Sequence, residues 1–191
     1  RNLDGVLPTM ASTLQHRGPD NLSYKVYKNV GLAHTRLSII DLSDSANQPM
    51  DDHTGRYQII YNGEIFNYKV LKNELLDRGC AFRTRSDTEV LLHGYAVDGL
   101  DFLKKIRGFY AFCILDKSKN NLLLARDHYG KKPLYISTRG NEFMFASEMK
   151  ALLIAMQNFP SIDYDGLSHY LWKGYYANGQ SAYSDIKSLL P

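Results

Sequence analysis

Tyr57-Gln58-Ile59-Ile60-Tyr61-Asn62-Gly63-Glu64-Ile65-Phe66-Asn67-Tyr68 is the stretch whose reading decides the fold. Tyr57 to Tyr61 is aromatic or β-branched apart from Gln58, which is the composition of a strand. The run halts at Asn62-Gly63 and then takes up a helical pattern. Asn-Gly is a common hairpin dipeptide, so a tight turn is one reading. The other is chemical: the Asn62 amide and the unscreened Gly63 N–H are two donors that a strand delivers to one fixed place, able to hold a developing oxyanion.

Working outward, Asn67 to Arg78 places Tyr68, Leu71 and Leu75 on one helical face, and Gly79 is positioned to end that helix in a left-handed conformation. Cys80 and Phe82 are read as the start of a strand. Ser86-Asp87-Thr88-Glu89 then has the form of a capping box ahead of Val90, Leu91 and Tyr95. Asp87 either favours the positive end of that helix or faces a ligand ammonium. Upstream, Leu7, Met10 and Leu14 recur at helical spacing toward His16, and the helix stops at Gly18-Pro19. Leu22 to Lys28 and Gly31 to Ile40 read as strands, interrupted by Arg36, which is either a paired surface group or a fork for a carboxylate. Downstream, Phe109 to Asp116, Asn121 to Arg126, Pro133 to Thr138 and Glu142 to Ser147 read as consecutive strands of a meander. Glu148 to Met156 and Asp165 to Leu171 read as helices, and the tail from Gly174 to Pro191 is polar, tyrosine-rich and weakly patterned.

With 191 residues, 44% hydrophobic, the chain can bury one good core. The net charge of +3 is scattered, which argues against a nucleic-acid stripe or a polybasic membrane anchor. Runs such as Leu122-Leu123-Leu124-Ala125 are too short to span a bilayer, so a cytoplasmic location is expected. Cys80 and Cys113 match no metal-ligand spacing, and Cys113 sits among Phe109, Ala111 and Phe112 as a core residue would.

Taken together, His16-Arg17-Gly18-Pro19-Asp20, Arg36-Leu37-Ser38-Ile39-Ile40-Asp41, Gln48-Pro49-Met50, Asn62 to Tyr68, Ser86 to Val90, Ala125-Arg126-Asp127, Lys132 to Tyr135 and Phe145-Ala146-Ser147-Glu148 resemble the glutaminase domain of glutamine-hydrolysing asparagine synthetases. The resemblance implies an α+β fold of the N-terminal-nucleophile hydrolase type, a four-layer αββα sandwich of two antiparallel sheets. It implies that Asn62 and Gly63 form an oxyanion hole and that Arg36 holds the α-carboxylate of glutamine. It further implies that Asp87 and Glu64 receive the α-ammonium, and that Leu37, Ser38, Ile39 and Ile40 lend backbone along the substrate. Arg17 is read mainly as scaffold.

The family's nucleophile is an N-terminal cysteine whose own α-amino group is its base, and neither Cys80 nor Cys113 has that base. The first strand is therefore expected to be missing from the sequence, and the chain as written is expected to bind glutamine without cleaving it. Residues 1–157 are expected to form the glutaminase domain, and 158–191 a linker toward a synthetase domain. No cofactor or metal is expected here, because ATP and magnesium belong to that synthetase domain. The implied partners are glutamine and the synthetase domain, and homodimerisation is left open. The rival readings are a non-catalytic glutamine-binding module and a simple amidohydrolase.

Overall fold

A computed structural model describes residues 2–191, so Arg1 lies outside the described residues. The helices are α1 (Leu3–Ser12), α2 (Tyr68–Asp77), α3 (Asp87–Asp98), α4 (Leu100–Leu103), α5 (Met149–Ala155) and α6 (Tyr164–Lys173). The strands are β1 (Asn21–Tyr27), β2 (Val30–Arg36), β3 (Met50–Asp51), β4 (Tyr57–Ile65), β5 (Gly108–Asp116), β6 (Asn121–Arg126), β7 (Tyr135–Arg139), β8 (Glu142–Ala146) and β9 (Lys187–Ser188).

Strand alternation explains the layering. In β4 the odd-numbered Ile59, Tyr61 and Ile65 join Leu71 and Leu75 of α2 and Val90, Leu91 and Leu92 of α3 in the largest core cluster. Ile60 points the other way, into a cluster with Leu32 of β2, Cys113 and Leu115 of β5, and Phe145 of β8. The antiparallel sheet β3-β4-β5-β6 is thus covered on both faces, by helices on one and by a second β layer on the other. Burying each such Ile or Leu contributes about 1.5–3 kcal/mol. Behind the second layer lie α1 and α5, with Met10, Leu14, Ala151 and Leu152 packed on Ala146 and Ile186. The expected αββα order stands, but the second β layer is two separate ladders, β1-β2 and β8-β7-β9, rather than one sheet.

Several local expectations are corrected. Asn62-Gly63 is not a turn: β4 runs through it to Ile65, with Asn62 opposite Ala111 and Gly63 opposite Tyr110. A Cβ at position 63 would lie 2.3 Å from the Phe109 carbonyl oxygen, so the glycine serves close strand approach rather than chain reversal. β2 ends at Arg36 and does not reach Ile40, because the following backbone is drawn to side chains: Ser38 N–H donates to Asp20 Oδ2 at 2.7 Å, and the carbonyls of Asp41 and Ser43 accept from Arg36. Cys80 and Phe82 form no strand. Their loop is gathered by the buried Glu89, whose carboxylate accepts from Arg83 N at 2.9 Å and from Thr84 N at 2.7 Å, so only the Ser86 half of the capping box forms.

The four-strand meander breaks after β6. Asp127 accepts N–H bonds from Tyr129, Lys131 and Lys132, while Arg126 donates to the carbonyls of Gly130, Lys132 and Leu189; this knot carries the chain from one β layer to the other. The N-terminal helix begins at Leu3 and closes at Ser12. The tail, despite its weak pattern, folds back: Ile186 is fully buried, β9 pairs with β7, and Leu189 N donates to Leu134 O. At α2 the expected ending holds, with Gly79 at φ 86° just past the helix.

Candidate active site

The site is built on one edge of β4. Lys117 N–H donates to Arg56 O at one end of the β4-β5 pair and Phe66 N–H to Arg107 O at the other. Even-numbered residues of β4 therefore bond to β5, and odd-numbered ones turn their N–H and C=O groups to the opposite edge. There β3 covers only Gln58 and Ile59. Beyond it, side chains take over from backbone: Tyr61 N donates to Gln48 Oε1 at 2.6 Å, His34 Nε2 donates to Tyr61 O at 3.1 Å, and Ile65 N donates to Asp87 Oδ2 at 3.0 Å. Between them, Gly63 N–H has no partner among the described residues. The neighbouring Asn62 Nδ2 is also buried without a partner. Two adjacent unclaimed donors are the arrangement an oxyanion requires.

Asp87 is the first residue of α3, only 5% exposed, and its Oδ2 accepts from the Tyr61 hydroxyl at 2.7 Å as well as from Ile65. Burial pushes its pKa up, and the Tyr61, Ile65, Asp87 and Thr88 donors offset that only in part. Burial likewise holds the Tyr61 phenol far above its ordinary range, so it stays a donor. Arg36 is 7% exposed; its Nη1 donates to Ser43 O at 2.8 Å and to Asn47 Oδ1 at 2.7 Å, and its Nη2 to Asp41 O. A guanidinium carries five N–H donors, so those three bonds leave two N–H groups for a further acceptor. Arg36 is both the anchor of the 41–47 loop and a candidate carboxylate fork.

A cleft of about 1130 Å³ brings these groups together, lined by Arg36, Asn62, Gly63, Glu64 and Asp87. Leu37, Ile39 and Ile40 border it as well, whereas Ser38 does not, its N–H being committed to Asp20. Glu64 stands exposed at the rim. Arg17 also lines the cleft and pairs with Glu148 at 3.1 Å. Cys113 borders the cleft but is buried, and burial raises its thiol far above the usual range, which suits a core residue and not a nucleophile.

Sequence reasoning missed His34, Tyr61 and Gln48. His34 shares a strand face with Arg36, two residues away, which was the available signal. Burial lowers its pKa to about 4, so the ring is neutral near pH 7; with Nε2 carrying the hydrogen toward Tyr61 O, Nδ1 is left as a buried acceptor without a partner.

Residues 1–191 match the family model described as "Glutamine amidotransferase domain". The chain is 42% identical over 166 residues to "Asparagine synthetase (glutamine-hydrolyzing) 1" of Bacillus subtilis strain 168, covering 87% of this chain and 26% of that protein. It is 35% identical over 188 residues to "Asparagine synthetase B (glutamine-hydrolyzing)" of Escherichia coli K12, covering 93% of this chain and 32% of that one. The chain therefore spans about a quarter to a third of these relatives. Among solved structures, the glutamine phosphoribosylpyrophosphate amidotransferase of B. subtilis superposes with a TM-score of 0.56 at 28% identity, over 64% of this chain and 28% of that one. The fold is that of the N-terminal-nucleophile hydrolases. By family match and by relatives, this chain belongs to the glutamine amidotransferase domain family.

Proposed function

We propose that the cleft binds L-glutamine and that the chain is the glutaminase part of an asparagine-synthetase-like amidotransferase. The observation that carries the reading is the pair of unclaimed donors, Gly63 N–H and Asn62 Nδ2, in a cleft shared with one cationic fork and one buried carboxylate. Arg36 takes the α-carboxylate, Asp87 with Glu64 takes the α-ammonium, and Leu37, Ile39 and Ile40 run alongside the bound amino acid. The side-chain amide oxygen lies on Asn62 and Gly63.

In a longer chain carrying the family's N-terminal cysteine, the thiolate attacks the amide carbon and the two donors stabilise the tetrahedral oxyanion. Collapse, with the proton that the cysteine's α-amino group took from the thiol passed to the departing nitrogen, expels ammonia, and water then hydrolyses the γ-glutamyl thioester to glutamate and returns the thiol. Removing one donor of such a pair typically costs about 100- to 1000-fold in rate.

Residues 1–157 supply most of the glutaminase unit, and 158–191, which return through Ile186 and β9 to pack on it, lead toward a synthetase domain where ATP, magnesium and aspartate act. The outward-facing Leu171 and Trp172 of α6, each 76% exposed, support that direction. Among the described residues no group of three or more His, Cys, Asp or Glu is placed to hold a metal, and no step above is routed through one. No helix among those residues is long and apolar enough to cross a membrane, and a cytoplasmic location fits the proposed substrates.

Isothermal titration of the chain with L-glutamine tests the reading. Saturable binding is expected, weakened at least roughly tenfold by Arg36→Ala, in line with a lost charge-assisted bond. No binding by the unaltered chain overturns the proposal, and an unchanged dissociation constant in the variant removes Arg36 from the site.

A further inference from the structure

Gln48 lies between the loop held by Arg36 and the short strand β3, and its side chain is 6% exposed. Its carboxamide makes two bonds in opposite directions. Oε1 accepts from Tyr61 N at 2.6 Å, one residue before Asn62, and Nε2 donates to Thr88 Oγ1 at 3.3 Å, one residue after Asp87. Its main-chain carbonyl accepts from Ser23 Oγ of β1. The preceding residue, Asn47, accepts from Arg36 Nη1 at 2.7 Å. A single side chain therefore connects the strand bearing the two unclaimed donors with the helix bearing the buried carboxylate, and its backbone neighbour connects both to the guanidinium.

β3 stops pairing at Ile59, so no backbone partner is available for Tyr61 N. Without Gln48 that N–H is orphaned at a buried strand edge, and on that edge the segment 61–65 keeps only His34 and Asp87, its other edge remaining paired with β5. The register of Gly63 N–H against Asp87 would then loosen.

We infer that Gln48 is a positioning residue that sets the span between the oxyanion donors and the ammonium-binding carboxylate, and so selects amino acids whose side-chain amide reaches both. This rests on the glutamine reading above. A ligand that uses only the zwitterion end does not depend on the span. A ligand engaging both ends does, since a misplacement of about 1 Å is enough to weaken a two-point fit.

The test compares L-glutamine with L-norvaline, which keeps the amino-acid head and the aliphatic chain but lacks the amide, by NMR titration of the full chain. Gln48→Met is expected to lower the preference for glutamine over norvaline about tenfold while changing norvaline binding less than about threefold. Thr88→Val, which keeps shape and removes only the second bond, is expected to move the preference in the same direction by about threefold; it carries the test if Gln48→Met does not fold. A purely structural role would shift both ligands together or neither, and a preference unchanged in the folded variants overturns the inference. An unaltered chain that does not prefer glutamine overturns the glutamine reading itself, a result separable from a failure of Gln48 alone.

Discussion

Asp127 and Asp87 are 1% and 5% exposed, yet their surroundings push them in opposite directions. At Asp127 burial raises the pKa, but the N–H groups of Lys132, Lys131, Tyr129 and Tyr110 outweigh it and the net shift is downward. At Asp87 burial again raises it, and the Tyr61 hydroxyl with the Ile65, Asp87 and Thr88 N–H groups leaves the net shift upward. One carboxylate is fully compensated by the fold, and the other retains unmet demand for positive charge. The first belongs to scaffold, the knot that moves the chain between β layers. The second has what a cationic ligand would complete.

The largest effect that could break this comparison is on stability. Asp127→Ala strips the acceptor from four buried or half-buried N–H groups and is expected to cost about 3 kcal/mol or more in urea unfolding at pH 7. The pH dependence follows from the sign of the shift. A folded-state pKa below the unfolded value of 3.8 contributes stability above about pH 4 that disappears as the pH falls through the folded value. Asp127→Ala should therefore lose its disadvantage in strong acid. An Asp127→Ala chain as stable as the parent at pH 7 would show that the knot is not held by this carboxylate.

Asp87 should behave in the reverse way. Its raised pKa means that the charged form is disfavoured by folding, a cost present at neutral pH and relieved as the pH falls through the folded value. Asp87→Asn, which keeps an acceptor for Tyr61 and Ile65, is expected to leave thermal stability at pH 7 unchanged or slightly higher. The same variant should weaken glutamine about 100-fold, the order of a truncated charge pair. In the parent chain glutamine binding should fall on acidification before the fold does, since Asp87 takes up its proton at a higher pH than Asp127. Calorimetric titration alongside thermal melts from pH 7 to 4 measures both, and coincident losses would erase the distinction.

What the sequence made legible follows the same division. β4, β5 and β6 were readable because apolar runs rich in β-branched, aromatic and leucine residues stand between polar turns, and Gly79 because its left-handed backbone has a residue signature. Ile39 and Ile40 imitated a strand because β-branched residues do so wherever they stand; the competing bonds, donated to Asp20 and by Arg36, involve positions distant in sequence or the loop's own fold. Ile186 is one buried apolar residue in a polar tail, too little for periodicity to register. Arg36, Asn62, Gly63 and Asp87 suggested themselves because their chemistry is unusual in their local setting. Gln48 and His34 did not, since their work is to replace the backbone of a neighbouring strand, and that need exists only because β3 is two residues long.

The smallest expected effect sharpens the contrast between buried and exposed charge. Glu64 is read as a second partner for the ligand ammonium, yet it stands exposed at the cleft rim, where water and salt screen it. Glu64→Gln is expected to weaken glutamine by about threefold or less at low ionic strength, and by nearly nothing at about 0.5 M salt. The Asp87→Asn loss should persist at that salt concentration, because a carboxylate 5% exposed is shielded from mobile ions. A salt-independent Glu64 effect as large as that of Asp87 would move the ammonium outward to the rim and leave the unmet charge of Asp87 without a ligand to explain it.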